Sequence, residues 1–355
     1  MDIGVPLEAA QAYYKHMFPA EHVYDWLDLS TVSSLYSPLR REFGIATFDG
    51  YFNRHLTFSN ASKFRKFLAE RAPHSVHLGG VYEKDIRLSN NAHNHVLAKE
   101  FCIDIDIDDY DLYRTCGCAK KTFCYLCWNY MTIAAKCINI VLDLSLAFKN
   151  YQWVFSGGRG LHCWIRDPTA LRMSYNNKLY LSKFIARPKK HTGTPYNQMY
   201  SQVIKPMFTS FCLESLDIFT SPFARQLVCE YLPAEHVPEF REMALSSSEY
   251  FERLEEVLHS AYSKLEFKKL KRQILFKFLY PKIDYNVSAN PEHLLRCPFT
   301  VHGKSGYIAM PIGKNRISTI PQDLQSFHLH NVHFPVVQQH ARILDSSRLP
   351  EDPSS

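Results

Sequence analysis

Phe101-Cys102-Ile103-Asp104-Ile105-Asp106-Ile107-Asp108-Asp109 alternates apolar and acidic side chains. In a β-strand successive side chains point to opposite faces. Phe101, Ile103, Ile105 and Ile107 then share an apolar face, and Asp104, Asp106 and Asp108 share the other. Like charges on one face repel, and burial would raise their pKa values or call for a counter-cation. A divalent metal with hard oxygen ligands answers that need. An amphipathic strand with its acids in water also explains the alternation. An EF-hand loop does not, because its sixth position would be Asp109 instead of glycine and its twelfth Thr115 instead of glutamate.

A chain of 355 residues, 46% hydrophobic, can bury a full core in one large or two modest domains. The net charge of +6 favours polyanionic partners without requiring them. Four of the ten cysteines crowd between Cys116 and Cys127, and the other six are scattered among apolar neighbours. That distribution points to a reduced compartment with one metal cluster and argues against a disulfide framework. The N-terminal Met1-Asp2-Ile3-Gly4-Val5-Pro6 lacks the basic start and apolar core of a signal peptide. No run approaches the ~18 apolar residues of a membrane span. A soluble intracellular protein is expected.

Around the acidic strand, Leu7 to Phe18 and Glu21 to Leu29 read as helices, and Tyr51 to Phe58 as a strand carrying Arg54. Asn60 is placed to cap a helix over Ala61 to Arg71. A strand interrupted by Gly79-Gly80 follows at Val76 to Tyr82. Beyond the cysteines come a long helix from about Tyr125 to Phe148 and a hairpin of Gln152–Phe155 with Leu161–Ile165. From Pro168 to Tyr280 helical spacing dominates, with Phe251, Leu254, Leu258, Ala261 and Leu265 on one stripe and a basic continuation, Phe267 to Arg272. That continuation reads either as a solvated face or as a contact for nucleic-acid backbone. Strands return at Lys282 to Val287 and Tyr307 to Ile312, and the tail from Asp345 reads as disordered. The fold expected is α/β (α+β): a mixed-sheet core over 1–167 and 281–340, interrupted by a helical insertion over 168–280.

Three constellations carry chemistry. Cys116, Cys118, Cys124 and Cys127, spaced C-x-C-x5-C-x2-C, suit tetrahedral zinc with no open position, hence a structural site. Inert thiols and an iron–sulfur cluster are the competing readings. Ser156-Gly157-Gly158-Arg159-Gly160-Leu161-His162 offers a backbone nest for an anion, a bidentate guanidinium and an imidazole donor, yet it matches neither the Walker A nor the dinucleotide pattern. Alone it reads better as a glycine-rich turn with a structural arginine; paired with a carboxylate strand it becomes a candidate triphosphate grip. Asp284, followed by Arg296 and His302, can add a third metal carboxylate and two phosphate donors, or serve as an ordinary turn acid.

Taken in order, D-I-D at Asp104–Asp106, the cysteine cluster, S-G-G-R-G-L-H-C-W from Ser156 and D-Y-N-V-S…H-L-L-R-C-P-F-T-V-H from Asp284 resemble the catalytic small subunit of archaeal and eukaryotic DNA primases. R-E-F at Arg41 and G-V-Y at Gly80 fit as well, and the likeness covers roughly residues 5 to 315. The resemblance implies that Asp104, Asp106 and Asp284 bind two catalytic Mg²⁺ or Mn²⁺ ions. It implies that Ser156, Arg159, His162, Arg296 and His302 hold the nucleotide triphosphate, with Arg54 an active-site arginine and Glu42 an acid of the initiation site. Zinc at the four cysteines would be structural and close to the core. Implied partners are a single-stranded DNA template, NTPs, a large subunit carrying an iron–sulfur domain and a replicative DNA polymerase complex, in the nucleus. Three positions depart from the family pattern: Gly158 where a second arginine is frequent, Arg296 where lysine is common, and His77 where an acid often precedes Gly-Val-Tyr. The C-terminus is short for the eukaryotic branch. The expected reaction is de novo synthesis of short RNA primers. The rival readings are a primase–polymerase of damage tolerance, a metal-dependent nuclease and a zinc-stabilised nucleic-acid-binding module.

Overall fold

The computed structural model describes residues 5–87, 94–120, 122–187, 193–284, 287, 289–290 and 292–349. It combines helices with two antiparallel sheets, an α+β architecture. Packing divides the chain into two units: Met1–Asp104, Phe148–Lys183 and Asp284–Ser355 form one, and Ile105–Ala147 with Phe184–Ile283 form the other.

In the first unit, Arg41–Ala46 (β1) lies between Phe52–Leu56 (β2) and Ser75–Tyr82 (β3), antiparallel to both. Phe43 faces Leu78, and Ile45 faces Val76. Val96–Ala98 (β4) extends the sheet beyond β3. Phe43, Phe58 and Phe64 form a ring cluster with centroids 5.0–5.1 Å apart, seating the helix Ala61–Arg71 on the sheet. Asn60 caps that helix as anticipated, its side chain accepting from the Lys63 N–H at 2.9 Å. Gly79-Gly80 does not interrupt β3, which runs through both glycines. A Cβ on Gly79 would stand 2.5 Å from a Glu42 carboxylate oxygen, so the missing side chain leaves room for that acid.

The second sheet has the order β5-β7-β6-β9, where β5 is Phe101–Asp106, β6 Tyr151–Phe155, β7 Gly160–Ile165 and β9 Pro311–Ile312. The β6–β7 hairpin runs from Tyr151↔Ile165 to Phe155↔Leu161. Leu295–Arg296 (β8) joins β3 of the first sheet, with His77 opposite Arg296. The apolar side chains of β5 are buried while Asp104 and Asp106 are partly exposed, the two-faced pattern read from the sequence. The strand ends at Asp106, however. Ile107–Tyr113 turns into a 3₁₀-helix, which takes Asp108 off the acidic face. Of the tail from Asp345, Asp345 closes the helix Phe334–Asp345, and Leu349 is buried with Leu29, Tyr36 and Val81, so order extends to that point.

The second unit is helical. Its core stacks Tyr110 on Tyr130 at 4.7 Å and gathers Phe208, Phe219, Phe251 and Phe278. The helix expected from Tyr125 begins only at Asn129, because Cys124 to Trp128 form tight turns, and it widens into a π turn at Val141–Ser145. The stripe from Phe251 to Leu265 is not one helix either. Ser247–Ala261 ends before Ser263, which starts Lys264–Leu279 with a capping box shared with Glu266. That Ser-x-x-Glu signal is legible in the sequence and outranks the apolar periodicity that runs across it. In the stretch expected as a strand from Lys282, Asp284 makes an isolated antiparallel bridge, while Tyr285, Asn286 and Ser288 lie outside the described residues.

Candidate active site

The site is built where segments remote in sequence meet within the first unit. The Asp284 N–H donates to the Asp104 carbonyl at 3.2 Å, pairing the two acids as bridge partners. On the neighbouring β7, the His162 Nε2 lies 3.5 Å from an Asp104 carboxylate oxygen. Asp104 is about one-fifth exposed, so its charge is only partly screened by water. Asp106 ends the same strand, partly exposed like Asp104, and by packing is counted with the second unit.

The glycine turn joins β6 to β7. The Ser156 Oγ accepts from the N–H groups of Gly158 at 3.2 Å and Gly160 at 3.1 Å. Two amides expected to face an anion are thus used to hold the turn itself. Gly157 has φ +75°, and a Cβ there would meet the His302 Cβ and the Tyr307 carbonyl at 3.0 Å. The turn therefore packs directly on the segment carrying His302, and the Ser305 Oγ ties the two by donating to the Gly157 carbonyl at 2.5 Å. Burial, the Arg296 charge and, more weakly, Arg159 depress His302 to a pKa of about 3, so its imidazole is neutral at neutral pH.

Arg296 donates to the Ser75 Oγ at 3.2 Å and to the Val301 carbonyl at 3.1 Å. Burial lowers even its guanidinium, to about 10. His77, opposite it in the ladder, is pushed to about 3 by burial and by Arg296, and its Nε2 lies 2.5 Å from the Ser75 Oγ. Beside burial, Arg296 is thus the charge that holds both neighbouring imidazoles, His77 and His302, in their neutral form.

Glu42 and Arg54 form a second corner of the same unit. Glu42 is fully buried on β1 and accepts two bonds from Arg54, at 2.9 and 3.2 Å, and one from the Tyr82 hydroxyl at 3.1 Å. Those hydrogen bonds raise the Arg54 pKa and fix its guanidinium, which also donates to the Glu292 carbonyl at 3.1 Å.

The sequence reasoning missed the support beneath this site. The Lys99 ammonium donates to the carbonyls of Asn290 at 2.8 Å and His293 at 2.5 Å, bracing the segment that follows Asp284. Lys178 in turn donates to the Lys99 carbonyl at 2.7 Å. Burial depresses both lysines to about 8. Arg41 and Glu100 make a bidentate pair at 2.7 and 2.8 Å, both about 1% exposed. Arg41 stands in the R-E-F motif but nothing local gives it a partner, and Lys99, Glu100 and Lys178 look like ordinary surface charges until the fold buries them.

The second unit carries a separate set of four converging thiols whose geometry fits a metal ion. The sulfurs of Cys116, Cys118, Cys124 and Cys127 all lie within 4.8 Å of one another, and among the described residues they are the one group whose donors converge so closely. The Cys124–Cys127 sulfur distance of 3.8 Å matches the edge of a tetrahedron with ~2.3 Å arms. Burial pushes the Cys127 thiol up to about 12, while the Arg114 guanidinium lies 3.8 Å from its sulfur. Four thiolates so close need a cation, and the all-sulfur donor set fits zinc.

Comparison with known proteins agrees with this architecture. The family model for the DNA primase small subunit matches residues 103–313, which include the acidic strand, the cysteine quartet, the glycine turn and the segment from Asp284. The chain belongs to the DNA primase small subunit family. It is 27% identical to the DNA primase small subunit of Saccharomyces cerevisiae over 85% of this chain and 80% of that one. With the Schizosaccharomyces pombe small subunit the identity is 28%, over 89% and 75%. With that of the archaeon Pyrococcus abyssi it is 24%, over 88% and 89%.

Proposed function

We propose that this chain synthesises short RNA primers de novo on single-stranded DNA by nucleotidyl transfer. Asp104, Asp106 and Asp284 hold two Mg²⁺ or Mn²⁺ ions in this reading, and their hard carboxylate oxygens fit such ions. When bound, the ions supply activation of a 3′-hydroxyl and stabilisation of the pyrophosphate leaving group. The side chains of Ser156, Arg159, His162, Arg296 and His302 bind and orient the triphosphate. Phosphoryl transfer needs positioning and charge neutralisation above all; the Arg159 and Arg296 guanidiniums supply charge, and the imidazoles supply positioning hydrogen bonds. Arg54, clamped by Glu42, contributes a guanidinium already set in place. The observation that carries the reading is the backbone pairing of Asp104 with Asp284 beside His162.

Initiation needs two nucleotides held on the template before any primer exists. The reading therefore includes a large subunit with an iron–sulfur domain, a replicative polymerase complex and a nuclear location. Zinc at the cysteine quartet is structural. Among the described residues no helix is long and apolar enough to cross a membrane.

Incubation with a single-stranded template, NTPs and Mg²⁺ or Mn²⁺ tests the proposal. Extension products that prefer NTPs over dNTPs support it, and a preference for dNTPs favours a damage-tolerance polymerase. Shortened DNA points to a nuclease, and a gel shift without products points to a binding module.

A further inference from the structure

The helical unit carries a cationic stripe that the proposed chemistry does not use. On the helix Lys264–Leu279, Leu265, Lys268, Lys269 and Arg272 fall at i, i+3, i+4 and i+7, one face of the helix. An apolar stripe at this spacing would be core; here three of the four positions are cationic. The helix's one acid, Glu266, is engaged in the capping box with Ser263. Lys271, which lies off the stripe, is paired with Glu255.

Facing these cations is the segment Gly193–Met199, continued by a π turn at Tyr200–Ile204. It presents two tyrosines one turn apart. Tyr196 stacks on Phe276 at 4.7 Å and 12°, and Tyr200 at 6.3 Å and 25°. The Arg272 guanidinium lies over the Tyr200 ring at 4.5 Å and is steadied by Asn197 at 3.0 Å. Tyrosines and cations together line an open cleft of about 870 Å³.

We propose that this cleft binds a single-stranded polynucleotide, its phosphodiesters on Lys268, Lys269 and Arg272 and its bases against the tyrosine side. Cations tracking a backbone beside aromatic rings are how sequence-tolerant single-strand sites are made. A protein partner fits less well, because lysine is depleted where proteins meet and this cleft is lined by three, Lys268, Lys269 and Lys271. The cleft deepens the primer-synthesis reading by assigning the template, or the nascent strand, a contact of its own.

The test is fluorescence anisotropy of the full chain with labelled DNA and RNA strands of the same sequence, across a salt series. Each phosphate contact on a single strand contributes ~0.7 to the slope of log affinity against log salt. K268Q/K269Q/R272Q should therefore flatten the slope by about 2 and weaken binding roughly 10- to 50-fold near 0.15 M salt. K268R/K269R/R272K should retain both. Weakening with either strand supports the proposal, and the strand more affected names the ligand. Unchanged affinity and slope overturn it, as does weakening confined to capture of an acidic peptide. Should the triple variant lose its fold, photocrosslinking of a 5-iododeoxyuridine strand to the unaltered chain decides: crosslinks at Tyr196 or Tyr200 support the site, and crosslinks only elsewhere overturn it. D104N separates the two readings, since it should abolish synthesis while leaving strand binding intact.

Discussion

The Asp284 N–H donates to the Asp104 carbonyl across 3.2 Å, so the backbone itself, independent of any ligand, holds the two acids side by side. Substituting either side chain leaves that hydrogen bond in place. D104N and D284N should accordingly keep the wild-type melting temperature while primer synthesis falls at least about 100-fold, the scale of losing a principal transition-state charge contact. Thermal melts and product gels on the same preparations check this. A variant that melts normally and still synthesises primers removes the carboxylates from the mechanism.

Gly157 sits at φ +75° with His302 and the Tyr307 carbonyl 3.0 Å from where a Cβ would be. Gly157→Ala should cost about 1–3 kcal/mol of stability through the strained backbone and displace His302. Steady-state kinetics should show a raised KM for NTP with a smaller change in kcat.

Glu100 is tied to Arg41 in the first unit's interior. Burial alone would raise its pKa, yet the Arg41 charge and hydrogen bonds, helped by Arg166, hold it at about 2. A depressed carboxylate contributes stability that is fully present above its unfolded pKa near 4.5 and is lost as pH falls through about 2. Glu100→Gln should destabilise by ~3–5 kcal/mol at neutral pH, measured by urea unfolding, because it strands a buried guanidinium.

His77 and His302 both have folded pKa values near 3 against 6.5 in the unfolded chain. Between those values the unfolded state binds more protons, so stability rises with pH across the window and falls on acidification below about 6.5. H77Q and H302Q should each flatten the slope of unfolding free energy between pH 6 and 4 by up to ~1.4 kcal/mol per pH unit. Parallel slopes in variant and wild type would exclude either imidazole from the acid response.

The cysteine quartet predicts one zinc per chain by elemental analysis. C124S/C127S should lose the metal and lower the melting temperature of the helical unit, since a structural site contributes its binding free energy to folding. Retention of stoichiometric zinc in that variant would place the ion elsewhere.

Much of this molecule was written locally. The period of two over Phe101–Asp106 gave the strand and its acidic face, Asn60 gave a helix start, and the C-x-C-x5-C-x2-C spacing gave the quartet. Such features depend on neighbours a few residues apart, whose geometry the backbone repeat dictates. Where two local signals competed, the reading went astray: the capping box at Ser263 broke a helix that apolar periodicity had carried through.

The amino-acid order by itself determined the α+β class, the sulfur cluster, the glycine turn and the family. Only the tertiary structure decided that Asp284 lies against Asp104, that two glycine amides are spent on Ser156, that Lys99 and Lys178 brace the segment beyond Asp284, and that Arg41 and Glu100 form an interior pair. The reason is burial. A charge's role follows from which remote partner it meets and how much water is removed around it, and neither is encoded in the residues beside it.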